Sequence, residues 1–162
     1  MSVLWIVLIL VAAQRIVELA YARANTIRLL RSGGVESGAT HYPLFVLLHA
    51  AWLIAMVLSI PPATPPIWWL IAVFAALQAA RVWIVATLGP RWTTRVVTVP
   101  NAAPIRRGPY RFFRHPNYIV VCAEIAVLPL AFHAVQIALV FSLLNAALLS
   151  WRVRVEDHAL GR

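Results

Sequence analysis

Apolar residues run along this chain in long blocks rather than in the one-sided pattern of a surface helix. Five blocks can be read: about Val3 to Tyr21, Tyr42 to Ile60, Ile67 to Leu88, Tyr118 to Pro129–Phe132, and Val135 to Trp151. A helix that is apolar all round has to be buried in protein or in lipid. Crossing a bilayer takes about 20 such residues, or as few as ~17. The first three blocks meet that length and the last two are short. They are joined by Leu128-Pro129-Leu130-Ala131-Phe132-His133, which holds too little polar sequence for a proper loop, so a tight helical hairpin is expected. The first block lacks the basic segment that precedes a cleaved signal sequence, and is expected to stay as a helix.

The segments between the blocks differ in kind. Pro61-Pro62-Ala63-Thr64-Pro65-Pro66 is a stiff, uncharged turn that stops one helix and starts the next. Ala24 to His41 carries Arg28, Arg31 and a Gly33-Gly34 break. Gly89 to Asn117 is the longest polar stretch and holds Arg91, Arg95, Arg106, Arg107, Arg111 and Arg114. Arginines thus follow the first, third and fifth helices, and the opposite ends have none. The positive-inside rule then places the N-terminus outside and the C-terminus in the cytoplasm, as an odd number of crossings requires.

Composition agrees. Of 162 residues, 62% are hydrophobic and 12% charged, against roughly 45–50% and about 25% in soluble domains. Mean hydropathy is +0.83. The length suits one domain, residues 1–162, with three helices in 1–88 and the remaining features in 89–162. A single cysteine, Cys122, excludes an intrachain disulfide. The net charge of +9 comes with no basic stripe interleaved with stacking aromatics, so no nucleic-acid partner is expected. The histidines are scattered and match no zinc spacing, so no metal is expected. Phosphate loops and nucleophile elbows are missing as well.

Two arginines, Arg15 and Arg81, fall inside apolar blocks. Each would cost about 2.5–3.5 kcal/mol in the bilayer centre and so needs a partner. Glu18 shares a helix face with Arg15. Arg81 and Glu124 both come about 10 Å deep from the arginine-rich side, and Glu18, His49, Gln78 and Asn145 map to a similar level. These residues form either a structural polar girdle or the wall of a site. Glu124 is accordingly a candidate acceptor-side base or an ion partner of Arg81.

The densest chemistry lies in Gly108-Pro109-Tyr110-Arg111-Phe112-Phe113-Arg114-His115-Pro116-Asn117-Tyr118. Pro116 suits the first turn of a helix, and free N–H groups there can receive an anionic group. Tyr110 and Tyr118 can cover an aromatic ring or a cation. The other reading is a basic, aromatic loop that only anchors the chain at the interface. A second cluster, Arg152-Val153-Arg154-Val155-Glu156-Asp157, puts Arg152 and Glu156 one helical turn apart. They form either a surface ion pair or a cation and an anion offered to a zwitterion.

Gly108, Tyr110, Arg114-His115-Pro116-Asn117-Tyr118 and Arg152-x3-Glu156-Asp157 together resemble the isoprenylcysteine carboxyl methyltransferase family of integral membrane methyltransferases. The likeness runs from about Leu88 to Leu160, extends through Trp92-Thr93-Thr94-Arg95 and Glu124 to Leu130, and points to a bacterial alkylpyrone or alkylresorcinol O-methyltransferase-like subgroup. Asp157 stands where the founding eukaryotic members have a second glutamate. The apolar blocks give an all-α integral membrane fold of five transmembrane helices with a C-terminal helical hairpin, which departs from the founding members in being short, and the resemblance adds a cofactor pocket on its cytoplasmic side. It implies S-adenosylmethionine as donor, contacted by Tyr110, His115, Pro116, Asn117, Tyr118 and Glu156, with Ala102, Ala103, Pro104 and Ile105 closing over it. Arg152 would face the methyl acceptor, a lipophilic hydroxyl or carboxyl compound arriving from the bilayer. An NADPH-dependent reductase of the sterol-reductase type, which also carries an Arg-His-Pro-Asn-Tyr block, and a phospholipid N-methyltransferase are the alternatives.

Overall fold

A computed structural model describes residues 2–39, 42–100, 102–103 and 105–159, with side chains described as far as Glu156. Five helices dominate: α1 (Val3–Arg31), α2 (Tyr42–Ser59), α3 (Trp68–Leu88), α4 (Pro116–Ala131) and α5 (Val135–Ala159). Four of them, α1, α2, α3 and α5, are long and apolar enough to cross a membrane. α4 has 16 residues, a length of about 24 Å against a hydrocarbon core of about 30 Å. The Ile67 N–H at the head of α3 donates to the carbonyl of Ala131, the last residue of α4, at 2.8 Å. α4 therefore ends level with the start of α3.

The helices meet along spacings of three and four residues: Leu4, Leu8 and Val11 from α1, Leu48, Trp52 and Met56 from α2, and Val121, Ile125 and Leu128 from α4. Their other faces leave large apolar side chains uncovered, among them Leu10, Val17, Leu58, Val82 and Leu143. A soluble monomer rarely exposes so much apolar surface, whereas a lipid-facing helix must.

Two helices outrun their apolar blocks. α1 continues ten residues beyond Tyr21 because its extension is held by protein: Asn25 is buried and its Nδ2 donates to the carbonyls of Trp92 (2.9 Å) and Gly89 (3.3 Å). The helix stops where Gly33 turns to φ 84° and the Gly34 N–H reaches back to the Leu29 carbonyl at 2.9 Å, a Schellman ending. α5 likewise continues past Trp151 to Ala159 and carries Arg152 and Glu156 on its extension.

The hairpin between α4 and α5 is as tight as the sequence predicts. His133 takes φ 61°, the one positive φ of a non-glycine residue among those described. The Ala134 N–H bonds to the Pro129 carbonyl (2.9 Å) and the His133 N–H to that of Leu130 (3.0 Å), closing the same type of ending.

The chain is mostly helical, as the expected all-α class requires, and adds one short ribbon that the apolar pattern does not predict. Val35–Ser37 (β1) pairs antiparallel with Val96–Thr98 (β2), in register Val35↔Thr98, Glu36↔Val97 and Ser37↔Val96. Arg95 locks this ribbon by donating twice from Nη1 to Glu36 (2.8 and 3.1 Å), and its guanidinium lies 4.6 Å from the centre of the Tyr42 ring. The ribbon ties the α1–α2 connection to the α3–α4 connection at the arginine-rich end.

Candidate active site

The α3–α4 connection folds back over the arginine-rich end of the bundle and encloses a cavity of about 690 Å³. Leu29 at the end of α1, β2, the first turn of α4 and the extension of α5 complete its wall. Local sequence fixes the connection. Gly108 has φ 56°, and a Cβ there would stand 2.6 Å from the Thr87 Oγ1. That hydroxyl is itself tied to the Trp83 carbonyl (2.7 Å) and cannot retreat freely. Only glycine permits both the backbone conformation and the close approach to α3. Arg91 Nη1 donates to the Ala103 carbonyl (2.8 Å), which draws the 102–103 backbone across the cavity.

The sequence-predicted residues separate clearly. Ala102, Ala103, Ile105, Tyr110, His115, Asn117, Tyr118, Arg152 and Glu156 all line the cavity. Pro104 lies outside the described residues. Pro116 is buried at the first position of α4, where its missing N–H costs nothing. It does not line the cavity. The helix start offers fewer N–H groups than its position suggests. Pro116 has none, and those of Tyr118 (3.0 Å) and Ile119 (3.4 Å) bond to the His115 carbonyl. The Asn117 N–H is the one left at this turn among the described residues, and the Asn117 Oδ1 is buried without a hydrogen-bond partner.

Arg152 and Glu156 make no direct ion pair with each other among the described residues. The Tyr118 hydroxyl sits between them: Arg152 Nε donates to it at 2.8 Å, and it donates to Glu156 Oε2 at 2.6 Å. Glu156 Oε1 lies 3.7 Å from His115 Nδ1. The His115 ring stacks on that of Tyr118, with centroids 5.1 Å apart and planes 9° apart. Arg152 is largely buried, and its guanidinium lies 5.3 Å from the centre of the Phe45 ring on α2. Burial, aided by the negative charge of Glu156, pushes the Tyr110 phenol up to about 12. It therefore stays protonated and a hydrogen-bond donor at any working pH.

Glu124 is placed elsewhere. It is fully buried within a closed ring of four charges. Arg15 contacts Glu18 (2.8 Å) and Glu124 (2.7 Å), and Arg81 contacts Glu18 (2.6 Å) and Glu124 (3.1 Å). Gln78 Nε2 takes the other Glu124 oxygen at 2.9 Å. Both carboxylate oxygens are thus engaged and Glu124 is not among the residues lining the cavity, so of its two expected roles the structure shows the ion-partner arrangement. The ring is neutral, which removes most of the cost of its burial, and it joins α1, α3 and α4. The expected polar layer does not gather whole. His49 Nδ1 bonds within α2 to the Phe45 carbonyl (2.8 Å), and Asn145 Nδ2 lies 3.4 Å from Cys122 Sγ.

Sequence reasoning missed the contributions of Phe45 and of β2 to the site. For Phe45 no local signal exists. For β2, the run Val96-Val97-Thr98-Val99 of β-branched residues is a strand signal inside a polar stretch.

A bundle of apolar helices with a polar, aromatic-lined cavity at one end defines a multi-pass membrane protein with a candidate ligand site at its arginine-rich face. Residues 69–162 match the model of the isoprenylcysteine carboxyl methyltransferase (ICMT) family. The chain belongs to that family, and it is a membrane methyltransferase. It is 36% identical over 160 residues to the uncharacterized protein YpbQ of Bacillus subtilis (strain 168), covering 96% of this chain and 95% of that protein. No solved structure matches it.

Proposed function

We propose that this protein transfers a methyl group from S-adenosylmethionine to an oxygen of a lipophilic hydroxyl or carboxyl compound at the cytoplasmic face of the cell membrane. Family members use that donor. The observation that carries the reading is the Glu156 carboxylate, fixed by Tyr118 through Oε2 while the residue lines the cavity. A fixed carboxylate suits the ammonium of an amino-acid-bearing donor. The unpartnered Asn117 N–H at the start of α4 suits its carboxylate, and the Tyr110 and His115 rings suit its purine. Residues 102–105 close over it on this reading. When bound, the donor supplies an electrophilic methyl group on a sulfonium.

Methyl transfer of this kind depends on holding two groups in line more than on a base or a metal. Arg152 serves the acceptor: a buried guanidinium stabilises a carboxylate or phenolate oxygen and presents it as an anion. The acceptor reaches the cavity from the bilayer, its apolar chain remaining among the helices. Five crossings follow if α4 spans fully, as its level end with α3 supports, and the arginine count supports the cytoplasmic placement of the cavity. Residues 1–162 then act as one methyltransferase domain, the first three helices forming the lipid-side wall.

Arg152→Ala is expected to keep S-adenosylhomocysteine binding within about threefold, since the loss is of one neighbouring hydrogen bond. It is expected to lose methyl transfer, read as radiolabel passing from S-adenosylmethionine into the organic extract of membranes containing the protein. Full transfer by this variant would remove Arg152 from the acceptor side. One feature favours a second reading: Arg91, Arg106 and Arg114 line the same cavity and could serve the phosphates of NADPH, which makes that nucleotide the proper competitor in binding tests.

A further inference from the structure

Arg152 and Glu156 lie one turn apart on α5, the spacing at which opposite charges pair directly on a helix. Here they do not. The Tyr118 hydroxyl, brought in from α4, accepts from Arg152 Nε (2.8 Å) and donates to Glu156 Oε2 (2.6 Å). Each charged group is hydrogen-bonded along one edge only among the described residues, the guanidinium also lying 5.3 Å from the centre of the Phe45 ring and 5.6 Å from that of Tyr118. Among the described residues the Arg152 Nη1 and Nη2 make no hydrogen bond, and Glu156 Oε1 has only His115 Nδ1 near it, at 3.7 Å.

We propose that Tyr118 is a positioning residue that keeps Arg152 and Glu156 apart, so that the guanidinium fork stays free for the acceptor and one carboxylate oxygen stays free for the donor. The inference rests on the methyltransferase reading above and adds to it a physical reason for a phenol at this position. A hydroxyl alone among neutral side-chain groups of this reach accepts from a cation and donates to an anion with the same oxygen. Accepting a charge-assisted bond from Arg152 strengthens the one Tyr118 gives to Glu156. The Tyr118 ring is in turn held by its stack on His115. Without the hydroxyl, the two α5 side chains fall into the direct pair their spacing allows. Both binding groups are then occupied by each other, and donor and acceptor must each break that pair to bind.

The test is a double-mutant cycle read as S-adenosylhomocysteine affinity by calorimetry on the detergent-purified full-length chain. Tyr118→Phe is expected to weaken binding about tenfold, because the probe must then break the direct Arg152–Glu156 pair, on the scale of one charge-assisted hydrogen bond. Adding Arg152→Gln to Tyr118→Phe is expected to recover most of that loss, because it removes the competing cation. The same Arg152→Gln change in the wild-type background should not improve binding. A simple packing role for Tyr118 predicts no such reversal of sign. The proposal is overturned if Tyr118→Phe binds like wild type, or if Arg152→Gln fails to restore binding in its background. Should Tyr118→Phe not fold, 3-fluorotyrosine at position 118 keeps the packing and donates more strongly; it must bind the probe at least as tightly as wild type, and a loss overturns the proposal. Failure of the wild-type chain to bind the probe would instead refute the methyltransferase reading itself, and this inference with it.

Discussion

Glu156→Ala is expected to abolish measurable binding of S-adenosylhomocysteine while leaving the protein folded. Among the described residues Glu156 is the one carboxylate that lines the cavity; away from it, Glu36 is paired with Arg95, and Glu18 and Glu124 belong to the buried ring. Its removal leaves a wall carrying Arg91, Arg95, Arg106, Arg114 and Arg152, with no carboxylate among the described lining residues to receive an ammonium group. Truncating one partner of a buried hydrogen-bonded charge pair costs about 2–5 kcal/mol or more, a loss of about 30-fold to several thousand-fold, and the upper part of that range takes a micromolar ligand beyond practical detection. The residue sits on the half-exposed extension of α5, away from the apolar core, so the melting temperature in detergent should change little. Normal binding by a folded Glu156→Ala protein would show that the donor's ammonium is held elsewhere.

The second large effect concerns folding. Glu124→Leu leaves Arg15 and Arg81 sharing Glu18 alone, with one positive charge uncompensated in a buried site. Breaking a buried ion cluster in this way costs about 3–5 kcal/mol, enough to depress the melting temperature strongly or prevent purification. The rescue distinguishes a ring from a simple pair. Exchanging Arg81 and Glu124 would restore an isolated pair. In the ring it sets the new arginine against Arg15 and the new glutamate against Glu18, and so should fail. Arg81→Leu combined with Glu124→Leu leaves the Arg15–Glu18 pair intact and neutral, and should recover most of the lost stability. Equal stability of Glu124→Leu and wild type, measured by thermal unfolding in detergent, would mean that the ring contributes nothing.

The helices were legible because lipid imposes a simple rule: their blocks are apolar on every side, and the start of α4 is marked by His115-Pro116. The ends were less legible. Polarity after Tyr21 reads as the end of a helix when only the bilayer is considered, but Asn25 finds its partners 64 and 67 residues away. The β1–β2 ribbon was hidden for the same reason, since three-residue strands pair across about sixty residues of sequence. At the site, the His-Pro and Arg-x3-Glu blocks stood as separate candidates, and only the family resemblance joined them in one pocket. The spacing of Arg152 and Glu156 suggested a direct pair, and only the fold could bring Tyr118 between them. The ring of Arg15, Glu18, Arg81 and Glu124 was half legible: depth along each helix placed its members at one level, but their order around the ring depends on how three helices are rotated.

The central claim is that the cavity binds a sulfonium methyl donor through Glu156. The most direct test is to titrate the detergent-purified wild-type protein with S-adenosylhomocysteine and, separately, with NADPH. The account predicts saturable micromolar binding of the first and none of the second. Binding of NADPH alone would contradict it and make the arginine-lined cavity the site of a reductase.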